Sequence, residues 1–196
     1  MKDMDSLLAQ VLAFRPNRLV PPFDLQGHIP FVAWLVKELQ PATFVQLGTQ
    51  SGNLYFAACQ TVAENSLPTR CWAVGTWQAE ELAQRHSVQQ EPGASDYNRQ
   101  HFGAFSGLLR MGDAQALPRF APGSIDLLLI DGRYSPETVR NEYESWRDRL
   151  SDHAVVLLVG IEQADSGAAA LWQQLQSQYP HLAFAHAQGL GVLAVG

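Results

Sequence analysis

Two glycines, Gly48 and Gly52, lie four residues apart in "FVQLGTQSGNLYFAACQ", between a short apolar run and an amphipathic stretch. Glycine lets a backbone approach a ligand closely. The first amides of a helix opening at Asn53 attract a carboxylate or phosphate. Further along, Asp131 ends the apolar run of "SIDLLLIDG", and Tyr134 follows it. A carboxylate there can take the proton of a hydroxyl while the phenol orients that acceptor, or it can bind backbone amides of its own turn. Asp113, in "MGDAQAL", can accept from an exocyclic amine or cap a helix. The glycines fall as G-x-x-x-G, without the closely spaced first pair of the dinucleotide fingerprint, and no Gly-Lys-Ser/Thr follows them.

These residues need a scaffold, and the hydrophobic pattern supplies one. Strands are predicted at "TFVQLG", "RCWAVG", "GLLRM", "IDLLLI", "AVVLLV", "LAFAHA" and "GVLAVG". Several are unbroken apolar runs, as strands buried on both faces must be. Helices are predicted at about 53–64, 97–105, 136–150 and 167–178. Two more precede the first strand within 1–40, marked by Leu7, Leu8, Val11 and Leu12 and by Ile29, Val32, Ala33 and Val36, with Pro41 ending the second. The helix after Asp131 is strongly signalled: Ser135 is a good N-cap, Pro136 suits the first position, and Glu137 complements the dipole. Val139, Tyr143, Trp146 and Leu150 then form one stripe.

Strand and helix alternate up to position 178, which requires right-handed crossovers and a parallel sheet. "LAFAHAQGLGVLAVG" is too tight for a crossover and must be a hairpin. The expected architecture is α/β: a doubly wound, Rossmann-like, mostly parallel sheet closed by an antiparallel last strand, in one domain spanning 1–196. Ligands of such sheets bind beyond the carboxyl ends of the strands.

Bulk composition narrows the classes of function. With 46% apolar and 16% charged residues, the 196-residue chain suits a folded domain with a sizeable core. Its net charge of −6 and the lack of any Lys/Arg block argue against nucleic acid as a partner. The longest apolar run, Ala154 to Val159, is far short of a membrane span. Cys59 and Cys71 lack metal-type spacing and read as reduced core residues, a disulfide being the alternative. The acidic "MKDMDSLLAQVLAF" is unlike a signal peptide, so a cytoplasmic location is expected.

"FVQLGTQSG", "CWAVGTW", "SIDLLLIDG" with "ETVRNEYESW", and "GLGVLAVG" together resemble the class I S-adenosylmethionine-dependent methyltransferase family. More narrowly, the chain is similar to small methyltransferase domains of bacterial surface-glycan synthesis, some of them fused to glycosyltransferases. The resemblance runs from about Gly27 to Gly196 and implies a seven-stranded sheet with an antiparallel last strand. It implies S-adenosylmethionine as cofactor, held by Gln46, Gly48, Thr49, Ser51, Gly52, Gly75, Thr76, Trp77, Asp113 and Ala114, with Asp131 and Tyr134 catalytic. It further implies a small-molecule or glycan acceptor and a possible glycosyltransferase or other protein partner.

The chain also departs from that family. Gln46 replaces an acid of the first strand, Gly75 the acid that grips the ribose, and Val159, Gly160 and Ile161 a His-Asp-Thr. Tyr134 and Pro136 replace the histidine and tyrosine of IDG-x-H-x-Y. A weakened or lost cofactor site, and hence a non-catalytic binding or scaffolding module, is therefore the alternative to an active enzyme. Glu80 and Glu81 can compensate or be solvated acids, Trp77 can cover the adenine or be core, and His28 can line the pocket or be structural. Without a second carboxylate at Gly160, Asp131 is not expected to hold a metal.

Overall fold

The computed structural model describes residue 11 and residues 13–49, 51–75, 93–131 and 134–196. Seven strands form one sheet: β1 (Thr43–Leu47), β2 (Arg70–Val74), β3 (Ser106–Leu109), β4 (Ile125–Asp131), β5 (Leu150–Val159), β6 (His181–Phe184) and β7 (Leu190–Ala194). Their order is β3-β2-β1-β4-β5-β7-β6. The pairs among β1 to β5 are parallel, and β7 is antiparallel to both β5 and β6. The sheet is thus the doubly wound, antiparallel-closed one expected, and the order reverses between β1 and β4, where such sheets bind ligands.

Among the described residues, six α-helices flank it: α1 (Ile29–Leu39), α2 (Asn53–Glu64), α3 (Ala94–His101), α4 (Asp113–Ala116), α5 (Pro136–Arg147) and α6 (Gly167–Leu175). Burial divides by strand parity. Phe44, Leu127, Leu129, Leu157 and Val159 pack with residues of α1 and α2 on one face. Val45, Leu47, Leu128, Ile130, Val156 and Leu158 pack with residues of α5 and α6 on the other. All seven residues of β4 are buried, as a strand covered on both faces requires.

Several boundaries move from their expected places, each for a local reason. The helix expected at 97–105 runs earlier, because buried Phe102 turns the chain into β3: its carbonyl accepts from the amides of Phe105 and Ser106. The first helix on the sheet ends at Leu39, with Gln40 left-handed ahead of Pro41. The helices expected to reach 150 and 178 stop at Arg147 and Leu175. The strand expected at "LAFAHA" ends early, at Phe184, so the final hairpin has a wide loop, 185–189, with Ala187, Gln188 and Gly189 at positive φ. His186 leaves the strand to meet Gly27 and His28.

The amino ends of the strands are pinned by one acid. Asp126 is buried where the β4–β5 register shifts. Its Oδ2 accepts from the Ala42 and Thr43 amides at 2.7 and 3.2 Å, and its Oδ1 lies 3.0 Å from His153 Nε2.

Candidate active site

At the carboxyl ends of the strands, β1 runs directly into the glycine turn. The Gly48 amide donates to the Val74 carbonyl and the Gly75 amide to Leu109, so the two glycines stand on adjacent strand ends. Gly48 and Gly52 both have left-handed φ, 71° and 74°. The turn closes with a 2.7 Å bond from the Gly52 amide to the Thr49 carbonyl. Gly52 is also the N-cap of α2 and has no side chain with which to accept from the first-turn amides. Those donors and the helix dipole suit the negative end of a ligand.

The turn and the end of β4 meet. A Cβ placed on Gly48 would lie 3.0 Å from Asp131 Cβ and 3.5 Å from Tyr134 Cε2. Only glycine fits there, on both dihedral and steric grounds. Asp131 is buried, and the Tyr134 side chain is half exposed beside the turn. Behind α5, Gly167 donates its amide to the Tyr134 carbonyl at 2.8 Å, fixing that residue's backbone. A cradle of a different kind lies at Gly75, where, among the described residues, an added Cβ would meet Thr49, at 3.3 Å from its Oγ1.

Gln46 is buried at 4% exposure on the α1/α2 face of β1, and among the described residues its Oε1 meets no hydrogen-bond partner. A buried carbonyl left this way costs about 1–3 kcal/mol. It is an acceptor held in reserve immediately below the glycine turn.

Asp113 is the first residue of α4, and the N-cap is Gly112, so the capping alternative for Asp113 does not hold. Its carboxyl is instead paired with Glu142 of α5, a residue the sequence reading missed. Burial raises the Asp113 pKa, and the hydrogen bond with Glu142 opposes that rise. Glu142 is pushed up to about 8, first by burial, then by its hydrogen bond to Asp113, then by the charges of Asp113 and Asp131. The two carboxyls therefore favour sharing a proton at neutral pH. The signal for Glu142 was its place next to Tyr143, on the border of the buried stripe of α5.

This pair sets a pH dependence. The unfolded chain releases the Glu142 proton near its ordinary value of 4.5, whereas the native state retains it to about pH 8. Between those values the folded protein binds more protons, so stability must fall as pH rises. Glu142→Gln, which keeps a donor without titrating, is expected to flatten that decline. Urea melts at pH 5 and pH 9 check it, and parallel declines in the two proteins would refute the pairing.

Other candidates separate. Ala114 is exposed beside Asp113. His28 is fully buried with its Nε2 3.0 Å from the Ala187 carbonyl, and burial lowers its pKa. It joins α1 to the β6–β7 loop as a structural residue. Cys59 and Cys71 are free and buried, and a hydrogen bond with Cys59, together with burial, raises the Cys71 thiol. Thr76, Trp77, Glu80 and Glu81 lie outside the described residues. Among the described residues, no group of three His, Cys, Asp or Glu side chains is arranged to hold a metal ion.

A family model described as a methyltransferase domain matches residues 45–158, more than half of the chain. The chain belongs to the methyltransferase-domain family. The matched span begins within β1 and ends within β5, so it contains the glycine turn, Gly75, Asp113 and Asp131. Solved structures agree on the fold. A methyltransferase from Geobacter sulfurreducens superposes with a TM-score of 0.64 at 15% identity, covering 99% of this chain and 91% of that one. An O-methyltransferase from Bacillus cereus in complex with SAH gives 0.62 at 15%, covering 100% and 93%. The O-methyltransferase TomG of Streptomyces achromogenes, in complex with SAM, gives 0.60 at 13%, covering 100% and 92%. In sequence, this methyltransferase domain is 36% identical over 194 residues to the uncharacterized protein y4gI of Sinorhizobium fredii (strain NBRC 101917 / NGR234). The match takes in 98% of this chain and 21% of that relative, so the chain spans about a fifth of the longer protein.

Proposed function

We propose that this domain is an S-adenosylmethionine-dependent O-methyltransferase acting on a small or sugar-type hydroxyl, in the setting of surface-glycan synthesis. The convergence of Asp131 and Tyr134 on the left-handed Gly48 carries the reading. It places a buried carboxylate and a phenol at the turn whose amides suit the carboxylate end of the cofactor. Gly48, Thr49, Ser51 and Gly52 would hold that end, with Gln46 Oε1 as an acceptor below them. The Gly75–Thr49 cradle would take the ribose, and Asp113 with Ala114 the adenine. Thr76 and Trp77 are proposed to bind the same cofactor on the strength of the family resemblance alone.

S-adenosylmethionine, when bound, supplies a sulfonium methyl carbon to an incoming oxygen. The chain's own part is mainly placement. Asp131 takes the proton of the acceptor hydroxyl, and Tyr134 orients that hydroxyl toward it. A proton shared by Asp113 and Glu142 would hold that pair at a single negative charge and limit repulsion at Asp131.

The second reading is a non-catalytic binding or scaffolding module, with a glycosyltransferase or other protein as its partner. The neutral residues at Gln46, Gly75 and Gly160 favour it. Calorimetry with S-adenosylmethionine and S-adenosylhomocysteine separates the two: micromolar binding is expected, and silence at millimolar ligand would leave only the second. Gly75→Asp gives a sharper check. The new Cβ needs only a small rotation of Thr49, and its carboxylate would face the ribose hydroxyls. A charged hydrogen bond contributes about 1.5–3 kcal/mol, so affinity should rise about 10- to 150-fold. An unchanged Kd would mean that the ribose does not lie at Gly75.

A further inference from the structure

We infer that Arg18 is a positioning residue for the glycine turn, which it fixes from a strap formed by residues 14–23; the inference rests on reading that turn as the cofactor cradle. The strap crosses α2 and is tied to it on both sides of Arg18. Before Arg18, the Asn17 amide donates to Gln60 Oε1 at 2.8 Å, and Gln60 Nε2 donates to the Arg15 carbonyl at 2.9 Å. After it, the Val20 amide donates to Asn53 Oδ1 at 3.1 Å, and Asn53 Nδ2 returns a 2.7 Å bond to the Val20 carbonyl. Both α2 side chains are buried, Asn53 at 4% and Gln60 at 5% exposure. The backbone that carries Arg18 therefore has little freedom.

The guanidinium is delivered into an aromatic slot. Its carbon lies 4.9 Å from the Phe56 ring centroid and 5.6 Å from that of Tyr97. Those two rings meet edge to face at 5.1 Å, one from α2 and one from α3. A planar cation between aromatic faces is held strongly when it is desolvated, and Arg18 is only 7% exposed. From that slot Nη1 donates to the Ser51 carbonyl at 2.6 Å. Ser51 stands immediately before Gly52.

A turn containing two left-handed glycines is intrinsically loose, because glycine has the most backbone freedom to lose. A ligand that must order such a turn binds more weakly than one that meets it already ordered. Arg18 clamps the Ser51 carbonyl, between the two glycines, which presents Gly48 and the first-turn amides of α2 in one arrangement. The strap thus makes part of the site from a segment remote in sequence. It also links the turn to α3 through Tyr97.

Arg18→Met keeps the apolar stem against Phe56 and removes every donor, and Arg18→Lys keeps the charge and an ammonium donor group without the planar stack. Amide hydrogen exchange in the ligand-free protein reads the turn directly, and calorimetry with S-adenosylhomocysteine reads its consequence. In Arg18→Met, exchange at Gly52 should quicken by about tenfold or more and Kd should weaken by a similar factor, the size of one charged hydrogen bond. Amides of β4 and β5 should not change, and Arg18→Lys, which lacks the planar stack, should recover only part of both losses and leave a measurable rise in exchange at Gly52. Unchanged exchange at Gly52, or equal loss of protection at Gly52 and in β4 and β5, would overturn the inference. Should the Met variant not fold, exchange at Gly52 in the Lys variant decides alone, a rise confined to the turn supporting the clamp and no rise refuting it. If wild type binds no S-adenosylhomocysteine while Gly52 still loses protection in the variants, the clamp stands and the cofactor reading falls.

Discussion

Asp131→Asn should lower methyl-transfer turnover by about 10²–10⁴-fold, the usual contribution of a positioned general base, with little change in affinity for S-adenosylhomocysteine. The carboxylate ends a strand buried along its whole length, and its own residue is paired with Val159 of β5. Its Cβ stands 3.0 Å from the point where a Cβ on Gly48 would fall, so it is fixed at the turn rather than free to swing away. Asparagine has nearly the same shape and retains one acceptor oxygen, but it cannot take up a proton. The loss should therefore appear in kcat and spare Kd. Single-turnover rates with any hydroxylated acceptor that wild type methylates provide the measurement. The competing role, in which this carboxylate anchors its own turn, predicts the opposite pattern: a lowered Tm and unchanged turnover per folded molecule.

The largest stability loss is expected from Trp146→Ala, about 3–5 kcal/mol. Trp146 is fully buried on α5, and its ring lies 5.2 Å from that of Phe120, which in turn meets Trp72 of β2 edge-on at 6.1 Å. This row of rings joins the helix to the sheet through the segment that follows α4. Its neighbours Val139 and Tyr143 share the buried face of α5. Val139 presses on Gly167 of α6, where a Cβ would come within 2.4 Å of its Cγ2. Two helices packed that closely have no slack with which to fill a vacated indole. Domains are stable by only about 5–15 kcal/mol in total, so the change removes a large share. Trp146→Phe should cost much less. Urea denaturation of the three proteins tests this, and a loss for Trp146→Ala below about 1 kcal/mol would contradict the packing described.

The same helix shows what was legible in the sequence. Ser135 is the N-cap, its Oγ accepting from the Thr138 amide at 3.3 Å, and Pro136 opens the helix. Local signals sufficed for this, because capping and amphipathic spacing depend on residues close in the chain. The sheet was equally readable, since an unbroken run such as "IDLLLI" has few places to go but between two layers. The site was readable only in part. The glycine turn and Asp131 lie at strand ends, where the fold displays its chemistry, so position along the pattern found them. Glu142 was missed because its partner Asp113 belongs to another helix, and nothing within "RNEYESW" announces a shared proton. Arg18 was missed because its bond to Ser51 spans 33 residues and its segment has no periodicity to read. The wide final loop was hidden for a similar reason, being set by His186 against Gly27 and His28 rather than by turn residues alone.

The lengths of the strands have a further consequence. The two outermost strands, β3 and β6, have four residues each, whereas β4 and β5 in the middle have seven and ten. Long apolar strands left at a border invite a neighbouring molecule to continue the ladder. Here the segments most able to seed fibrils are enclosed on every side, and the borders offer a stranger too few backbone groups to template growth. The longest apolar strands therefore become open to such pairing only while the sheet is unassembled.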